Sequence, residues 1–552
     1  MNFRIEGNQF FREGDYLSAW NCYTRGLAQT PKNPVLWSNR SLTNMKLDVF
    51  ELGYTDALKA YNLLKDQLTN DQNLQLLFIK SIDRMSESLS KLGVFPRAIS
   101  IIDSFLNNPL YKNILSMQLR QQLLRKKDDY QTQLNSKLAL NTMFIFESLN
   151  HIPNPNEIVR RIMDMGMTKF NYPWDRERLE SRGNTVNIEK LQRELDIISS
   201  KSISISPLNL DEQSTSCETF TAQLGIFAKE EISEGTVALS EDPFLTVHGY
   251  TSPRCSHCAR YLKVSNFKDF KIDQYTNVST TFNCQNNVDC TEIFCNKQCF
   301  DLAMAQYHPA LCGKNLQPFL HILRQHKSGR GDPNPLFLLK IFAYAKMRDI
   351  SPLDIQEIKH LTQYRPPSIK KQTNSNLPIG IINEMEAYLP SIYFDFYFST
   401  LELLEISPYD IRYDFWIYIT IMCKLQVNSF GRDGLACLYK FMSFINHSCV
   451  PNTYIDPYVS QNYMQNIGEK DESSEEEIKE NNINLVSLRK IQKGEQVFIS
   501  YCNETLNKED RAIHLIPAYG FECTCEKCRN EDPQDLCHVY LLPVWWLDCF
   551  WE

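Results

Sequence analysis

The sequence predicts a multidomain α+β protein, and three observations lead to that prediction. Residues 1 to about 200 show helical periodicity of their apolar side chains and almost no β-pattern. Short alternating runs separated by turn residues, which are typical of β-strands, cover the segments 218–250 and 436–501. Two groups of cysteines at metal-ligand spacing lie at 255–312 and 523–528. A chain of 552 residues has room for about three or four domains of ordinary size.

The N-terminal helical part, residues 1–140, carries a repeat of about 34 residues built from small and aromatic positions. The first unit matches this pattern at Gly7, Phe10, Gly14, Tyr16, Ala19, Tyr23, Gly26 and Pro31. A second unit starts near Trp37, and a third carries Leu92, Gly93, Phe95 and Ala98. Small residues let paired helices approach while aromatic rings fill the gap, and the pattern resembles tetratricopeptide repeats. We therefore expect stacked helical hairpins over 1–140 and a helical linker over 141–215.

The cysteine group at 255–312 contains seven cysteines and one histidine arranged as four pairs. Its members are Cys255, Cys258, Cys284, Cys290, Cys295, Cys299, His308 and Cys312. Thiolate and imidazole ligands in sets of four are typical of structural zinc, so eight ligands predict two tetrahedral sites. Metal binding also supplies the folding free energy that such a short segment lacks. His257 lies between the first two cysteines, and we interpret it as a non-ligand.

The second cysteine group consists of Cys523, Cys525 and Cys528. Three thiolates leave one position of a tetrahedral zinc site open, so a fourth ligand must come from elsewhere in the chain. Upstream of this group, the acidic segment 469–482 has the composition of a solvated, flexible loop.

Composition argues against nucleic-acid and membrane partners. The net charge is -8, and no face of the sequence is strongly basic overall. No apolar run approaches the roughly 20 residues that a membrane-spanning helix needs. Because the N-terminal segment lacks the apolar core of a secretory signal, we expect an intracellular protein of the cytoplasm, the nucleus or both.

The cysteine group at 255–312 resembles a MYND zinc finger, which we expect to span 251–315. In that family the first and third ligand pairs share one zinc, and the second and fourth pairs share the other. The resemblance implies one site formed by Cys255, Cys258, Cys295 and Cys299. It implies another site formed by Cys284, Cys290, His308 and Cys312.

The segments on both sides of this finger resemble the SET domain of protein-lysine methyltransferases. The matched features are Asn446-His447-Ser448-Cys449, the Gly494-Glu495 turn before a strand that ends at Tyr501, and the Cys523–Cys528 group. Upstream, Gly225-Ile226-Phe227-Ala228 fits an early strand of that domain. Taken together, the chain resembles the SET and MYND domain family, in its branch with N-terminal tetratricopeptide repeats. The implied order is a SET N-terminal part at 216–250, the finger at 251–315, a helical insert at 316–425, the catalytic part at 426–510, and a zinc-binding post-SET segment with tail at 511–552.

The resemblance implies methyl transfer from S-adenosylmethionine to a lysine amine of a histone or another protein. Tyr501 matches the catalytic tyrosine that orients this amine. Cys449 matches the fourth ligand that joins the three post-SET cysteines on a third structural zinc. The implied cofactor contacts are Leu224, Gly225, Asn428, Asn446, His447, Tyr501 and Phe521. Gln223 stands where the family usually has the first glycine of Gly-x-Gly.

The helical repeats support a second hypothesis. Repeat domains that bind the acidic C-termini of heat-shock chaperones use a basic residue, two asparagines and a Lys/Arg pair. The matching residues are Arg4, Asn8, Asn39, Lys80 and Arg84. The alternative to an active enzyme is therefore a zinc-containing interaction protein, an adaptor linked to chaperones or transcription whose SET domain is weak or inactive.

Overall fold

The computed structural model describes residues 2–67, 71–111, 114–148, 165–168, 170, 172–175, 181–199, 201–208, 223–249, 254–260, 262, 281–325, 333–364, 387–432, 435–456 and 481–531. The chain divides into two compact units, residues 1–175 with 369–419, and residues 176–368 with 420–552. The acidic segment predicted as a loop, 469–482, falls almost entirely outside the described residues. Within the described residues, no helix combines the length and the apolar character needed to cross a bilayer.

The first unit begins with seven helices that pack in sequence order. They are α1 (Phe3–Glu13), α2 (Tyr16–Gln29), α3 (Pro34–Lys46), α4 (Phe50–Leu64), α5 (Gln72–Leu92), α6 (Phe95–Asn107) and α7 (Met117–Ser148). Side chains that accept backbone N–H bonds of the first turn cap α1, α2, α3 and α5, namely Asn2, Asp15, Asn33 and Asp71. Gly14 and Gly93 end α1 and α5 at φ +83° and +85°, a conformation that glycine adopts without steric cost. The predicted helical N-terminal region is confirmed, and its assignment to tetratricopeptide repeats stays a prediction.

Close helix contacts in this unit depend on the small residues that the repeat pattern singled out. A Cβ added at Gly7 would lie 2.6 Å from the ring of Tyr23, so α1 and α2 touch there only because Gly7 has no side chain. Trp37 on α3 is completely buried and packs with Tyr23 and Leu36 in one apolar cluster. The alternation of small and large residues therefore sets the spacing of the first helices.

The first unit is completed by a segment from much later in the chain. Strand Met165–Thr168 pairs antiparallel with strand Ala387–Pro390, and the helix Ile392–Leu403 follows. The predicted helical insert, 316–425, therefore contributes to both units. The predicted helical linker, 141–215, contains strand Met165–Thr168 and, in the second unit, strand Ile203–Pro207 in addition to helix.

The second unit contains small antiparallel sheets and one short parallel pair. One sheet has the order Leu245–His248, Leu435–Leu438, Ser429–Arg432, and another has the order Thr453–Asp456, Ile483–Ser487, Val237–Glu241. The remaining pairs are Ile203–Pro207 with Leu224–Ala228, Phe282–Asn283 with Ile293–Phe294, and the parallel pair Asn446–His447 with Phe498–Ile499. Buried side chains of several of these strands and of the segments next to them form one apolar core, which includes Ile226, Leu239, Ile445, Leu485 and Val497.

The second unit also contains helices. They are Thr185–Ile198, Lys297–Gln306, His308–Leu311, Gln317–Gln325, Asn334–Met347, Gln356–Lys359, Lys508–Tyr519 and Glu526–Asn530. The helix Phe415–Asn428 carries the chain from the first unit into the second. The observed order of a helical N-terminal region followed by a strand-rich region agrees with the predicted α+β class.

Candidate active site and metal centres

The structure brings together the first predicted set of zinc ligands. The Sγ atoms of Cys255, Cys258, Cys295 and Cys299 all lie within 4.8 Å of one another. Two of the sulfur–sulfur distances are 3.7 Å, from Cys258 to Cys295, and 3.4 Å, from Cys295 to Cys299. These values approach the separation of about 3.8 Å expected for tetrahedral zinc with Zn–S bonds of about 2.3 Å. The donor set and its spacing therefore fit a Zn²⁺ ion.

The second predicted set is also assembled, from Cys284, Cys290, His308 and Cys312. The imidazole Nε2 of His308 lies 3.4 Å from the sulfur of Cys284 and 3.7 Å from that of Cys290. Burial lowers the pKa of His308, which favours the neutral imidazole that a zinc ligand must present.

His257 takes part in neither set. Its ring stacks on that of Tyr307 at 6.3 Å, and burial lowers its pKa to about 4. The sequence-based interpretation of His257 as a non-ligand agrees with this placement.

The third set joins residues that are far apart in the sequence. The sulfurs of Cys449, Cys523, Cys525 and Cys528 lie within 4.8 Å of one another. Cys449 is 3.5 Å from Cys528 and 3.7 Å from Cys523. The open position left by the three downstream cysteines is thus adjacent to the thiol of the Asn-His-Ser-Cys motif.

A buried arginine supports this third set. Arg511, 1% exposed on the helix Lys508–Tyr519, directs its Nη2 to the Cys528 sulfur at 3.2 Å. The same guanidinium pairs with Glu531 at 2.8 Å. Four thiolates around one Zn²⁺ carry a net charge of -2, so a neighbouring cation and an N–H···S hydrogen bond offset that charge. Nothing in the spacing of the sequence indicated Arg511.

Cys449 also belongs to a second possible group, with His447 and Cys502. The His447 Nε2 lies 3.3 Å from the Cys449 sulfur. This group offers only three ligands, whereas the set with Cys523, Cys525 and Cys528 offers four sulfurs around one point. The four-cysteine set is the better fit to structural zinc.

Tyr501, the predicted catalytic residue, is fixed at both its backbone and its hydroxyl. Its hydroxyl donates a hydrogen bond to the carbonyl of Ile445 at 2.6 Å, and its backbone N–H donates to Nδ1 of His447 at 2.9 Å. Burial raises the pKa of Tyr501, so the phenol stays protonated near neutral pH. The hydroxyl oxygen keeps its acceptor capacity while its proton is engaged by Ile445.

Other aromatic rings lie close to the ring of Tyr501. The ring of Tyr501 lies 4.7 Å from that of Tyr519, 5.4 Å from the imidazole of His447 and 6.3 Å from Phe521. Phe521 is also 5.9 Å from His447. The predicted residues Tyr501, His447 and Phe521 therefore form one cluster, to which the structure adds Tyr519.

The short parallel pair places one further predicted residue, Asn446, beside this cluster. Asn446 pairs with Phe498 and His447 with Ile499, so the motif runs directly alongside the strand that leads to Tyr501. The Asn446 side-chain amide donates to the carbonyl of Leu224 at 3.1 Å. This bond joins the Asn-His-Ser-Cys motif to the strand Leu224–Ala228.

Gly225 lies at a close approach in the same place. A Cβ added there would lie 2.6 Å from Nε2 of Gln496 and 3.1 Å from Nδ2 of Asn446. Only glycine leaves room for these two amides beside the strand backbone, since a Cβ would clash with them. Leu224 and Gly225 lie beside Asn446, and their role as cofactor contacts stays a prediction. Gln223 stands where the family usually has the first glycine.

Asn428, also predicted as a cofactor contact, makes its hydrogen bonds to residues outside this cluster. It is 3% exposed, and its amide nitrogen donates to the carbonyls of Thr362 at 2.7 Å and Lys424 at 2.6 Å. Among the described residues its hydrogen bonds run to these helix and loop carbonyls, and not to Asn446 or Tyr501. Its role as a cofactor contact stays a prediction.

One buried carboxylate holds the chain just before the motif. Glu241 accepts hydrogen bonds from the backbone N–H groups of Lys440, Phe441 and Met442, at 2.8 to 3.1 Å. Burial raises the pKa of Glu241 to about 7, although the three N–H donors act in the opposite direction. A lone glutamate at the end of a strand gives no sequence signal for this contact.

The five residues of the predicted peptide clamp lie in the first unit. Asn8 on α1 accepts a hydrogen bond from the Asn39 amide on α3 at 3.0 Å and from the Tyr23 hydroxyl at 2.8 Å. Arg84 on α5 donates to the carbonyl and hydroxyl of Ser38. The two remaining cations, Arg4 and Lys80, are exposed. The asparagines are thus brought together, whereas the Arg84 guanidinium already has partners.

Comparison with known proteins is consistent with this geometry. The SET domain model matches residues 339–502, a range that contains the Asn-His-Ser-Cys motif and Tyr501. The chain therefore contains a SET domain.

Three relatives extend that match. A SET and MYND domain-containing protein from Dictyostelium discoideum is 23% identical over 317 residues, 53% of this chain and 76% of the relative. SET domain and MYND-type zinc finger protein 6 from Schizosaccharomyces pombe is 32% identical over 163 residues, 28% of each chain. Histone-lysine N-methyltransferase ASHR2 from Arabidopsis thaliana is 24% identical over 337 residues, 55% of this chain and 69% of the relative. The chain is therefore similar to SET and MYND domain-containing proteins, and it contains the SET domain that they share.

Proposed function

We propose that this protein is an S-adenosylmethionine-dependent protein-lysine N-methyltransferase. The observation that carries the proposal is the fixed hydroxyl of Tyr501 within a cluster that also contains His447, Asn446 and Phe521. The SET domain match and the similarity to a protein named as a histone-lysine methyltransferase support the same activity.

The chain's own residues suit this reaction. The bound cofactor supplies an electrophilic methyl group on a sulfonium centre. Because the Tyr501 proton is donated to Ile445, the phenol oxygen is free to accept a hydrogen bond from the lysine amine and orient its lone pair. The raised pKa of Tyr501 keeps the phenol neutral, and burial among Tyr519 and Phe521 excludes water from the amine.

We propose that Leu224, Gly225, Asn446, His447 and Phe521 hold the cofactor. Gly225 lets the Asn446 amide lie close to the strand backbone, and Phe521 presents an aromatic face for stacking on adenine. Asn428 completes this set by the family resemblance alone.

The metals in this proposal are structural. Each of the three assembled sets supplies four protein ligands, so no coordination position remains for a substrate or water. We infer that zinc fastens the segment 523–528 to Cys449 and folds the 255–312 region, while taking no part in methyl transfer.

The direct test is titration of the zinc-loaded protein with S-adenosylmethionine in a calorimeter. We expect saturable binding with one cofactor per chain. Absence of binding would exclude the enzyme and favour the adaptor alternative. The substrate can then be sought by incubating cell lysate with labelled cofactor and identifying the methylated lysines by mass spectrometry. A parallel assay uses purified core histones as the substrate.

A second candidate function concerns the helical repeats. Asn8 and Asn39 meet at 3.0 Å, and Arg4 and Lys80 are exposed cations on α1 and α5. We propose that this surface binds an acidic peptide through its terminal carboxylate. The test compares an acidic peptide with a free C-terminus and its amidated form. Equal affinities for the two peptides would rule out carboxylate recognition, and Asn39→Ala is expected to weaken only the free-acid peptide.

A further inference from the structure

Gln496 presents a buried hydrogen-bond donor that has no partner among the described residues. Its side-chain Nε2 is shielded from solvent and makes no hydrogen bond within the described structure. A buried N–H without an acceptor costs roughly 1–3 kcal/mol, so such a group calls for a partner that binds later. The atom lies 2.6 Å from the position a Cβ would take at Gly225.

The place of this donor is well defined. The Asn446 amide approaches the same point on Gly225, at 3.1 Å. Two side-chain amides therefore converge on the one glycine of the strand Leu224–Ala228. Asn446 and Gly225 are residues to which the proposed function assigns the cofactor, whereas no motif or resemblance assigned anything to Gln496.

The backbone around Gln496 is held on both sides. Its carbonyl accepts a bond from the Asn452 amide at 2.8 Å, and the residue forms an antiparallel bridge to Phe227. The next residue, Val497, donates its N–H to Ile226 at 2.8 Å. Because strand pairing fixes this backbone next to Gly225, the unpaired amide is part of a preorganised site.

We propose that the Gln496 amide is a further cofactor-binding group, which donates a hydrogen bond to an oxygen of S-adenosylmethionine bound beside Asn446 and Gly225. This inference rests on the proposed function. The acceptor is either the cofactor's carboxylate or a ribose hydroxyl, since these are its exposed oxygen acceptors.

The test uses the zinc-loaded full chain with Gln496→Met, which keeps the length of the side chain and removes the donor. We expect S-adenosylmethionine to bind about threefold to tenfold more weakly, as for loss of one neutral hydrogen bond. The free variant is expected to unfold at the same or a higher temperature than wild type, because an unsatisfied donor has been removed. Gln492→Met, at an exposed glutamine four residues upstream, is the matched control and should bind like wild type.

A second variant and a second ligand make the outcome decisive. Gln496→Glu keeps the shape of the side chain, and its carboxylate should weaken binding further if the acceptor is the cofactor's carboxylate. Methylthioadenosine lacks that carboxylate and keeps the ribose. If Gln496→Met also weakens the binding of methylthioadenosine, the acceptor is on the ribose. If the variant binds methylthioadenosine like wild type, the acceptor is the carboxylate.

Several results would overturn the inference. Unchanged affinity in both variants would mean that an ordered water, and not the cofactor, satisfies Gln496. Lowered affinity accompanied by a lower unfolding temperature and lost zinc would mean that Gln496 acts only in packing. Failure of the wild-type protein to bind S-adenosylmethionine would instead refute the proposed function itself, so the two failures are distinguishable.

Discussion

At the scale of single residues, the proposed methyl transfer depends most on Tyr501. We expect Tyr501→Phe to lower kcat by at least 100-fold, because the amine loses the acceptor that orients it for transfer. The affinity for S-adenosylmethionine should stay within about threefold of wild type, since the ring and its contacts with Tyr519 and Phe521 remain.

Measurement of single-turnover methyl transfer beside calorimetric cofactor binding separates the two effects. Tyr454→Phe, at a half-exposed tyrosine on the strand Thr453–Asp456, is the control and should retain wild-type turnover. Retained transfer by Tyr501→Phe would show that another group orients the amine.

Glu241 gives a prediction about pH. Its folded-state pKa is raised to about 7 from 4.5, chiefly by burial. The folded protein therefore holds a proton that the unfolded chain releases between these two pH values. The stability contributed by this group is fully present below about pH 4.5 and is lost as pH rises through 7.

We expect Glu241→Gln to remove this dependence. Relative to wild type, the unfolding free energy of the variant should rise by up to roughly 3 kcal/mol between pH 5 and pH 8. Urea unfolding followed by circular dichroism at both pH values measures this change in the unfolding free energy. Comparing the two proteins cancels the pH dependence of zinc binding, which they share. If the unfolding free energies of the variant and wild type differ by the same amount at pH 5 and pH 8, Glu241 does not titrate in this range.

At the scale of elements, the sequence predicted what depends on spacing and missed what depends on distant partners. The helical packing follows from small residues such as Gly7, and the ligand pairs follow from Cys and His residues with two to five residues between them. Cys449 was assigned only through the family resemblance. Glu241, Gln496 and Arg511 could not be predicted, because each acts on residues brought near by folding and none lies in a spaced pattern.

The buried ion pairs of the first unit likewise join residues distant in the sequence, so spacing could not predict them. Arg40 on α3 binds Asp56 at 2.8 Å and Asp414 at 2.9 Å, and Lys59 on α4 binds Asp414 at 2.7 Å. All four side chains are almost fully buried. Burial alone would raise the pKa of Asp414, but Arg40 and Lys59 hold it below its ordinary value. The two cations of the N-terminal helices are thus neutralised partly by a residue more than 350 positions away.

We expect Asp414→Asn to destabilise the first unit by roughly 3–5 kcal/mol, because two buried cations then share a single carboxylate. Urea unfolding monitored by tryptophan fluorescence is a suitable measurement, since Trp20 and Trp37 lie against Arg40. Asp66→Asn, at an exposed aspartate after α4, should change stability by less than about 0.5 kcal/mol. Equal effects of the two substitutions would show that the buried pairs add nothing.

At the scale of the whole molecule, the three sets of candidate metal ligands are expected to differ in their effect on the proposed active site. The set of Cys449, Cys523, Cys525 and Cys528 joins two segments 74 or more residues apart. Phe521 lies two residues before Cys523 and contacts both His447 and Tyr501. The set of Cys284, Cys290, His308 and Cys312 is formed entirely within the 255–312 region and includes no residue of this cluster.

This difference leads to a paired prediction. We expect Cys525→Ser and Cys290→Ser each to lower the zinc content from three ions per chain to two. Only Cys525→Ser should weaken S-adenosylmethionine binding, by tenfold or more, because the freed segment no longer holds Phe521 against His447. Zinc is measured by metal analysis and cofactor affinity by calorimetry on the same preparations. Equal loss of affinity in both variants would mean that the metals act through general folding, whereas no loss in either would mean that Phe521 is held without the third zinc.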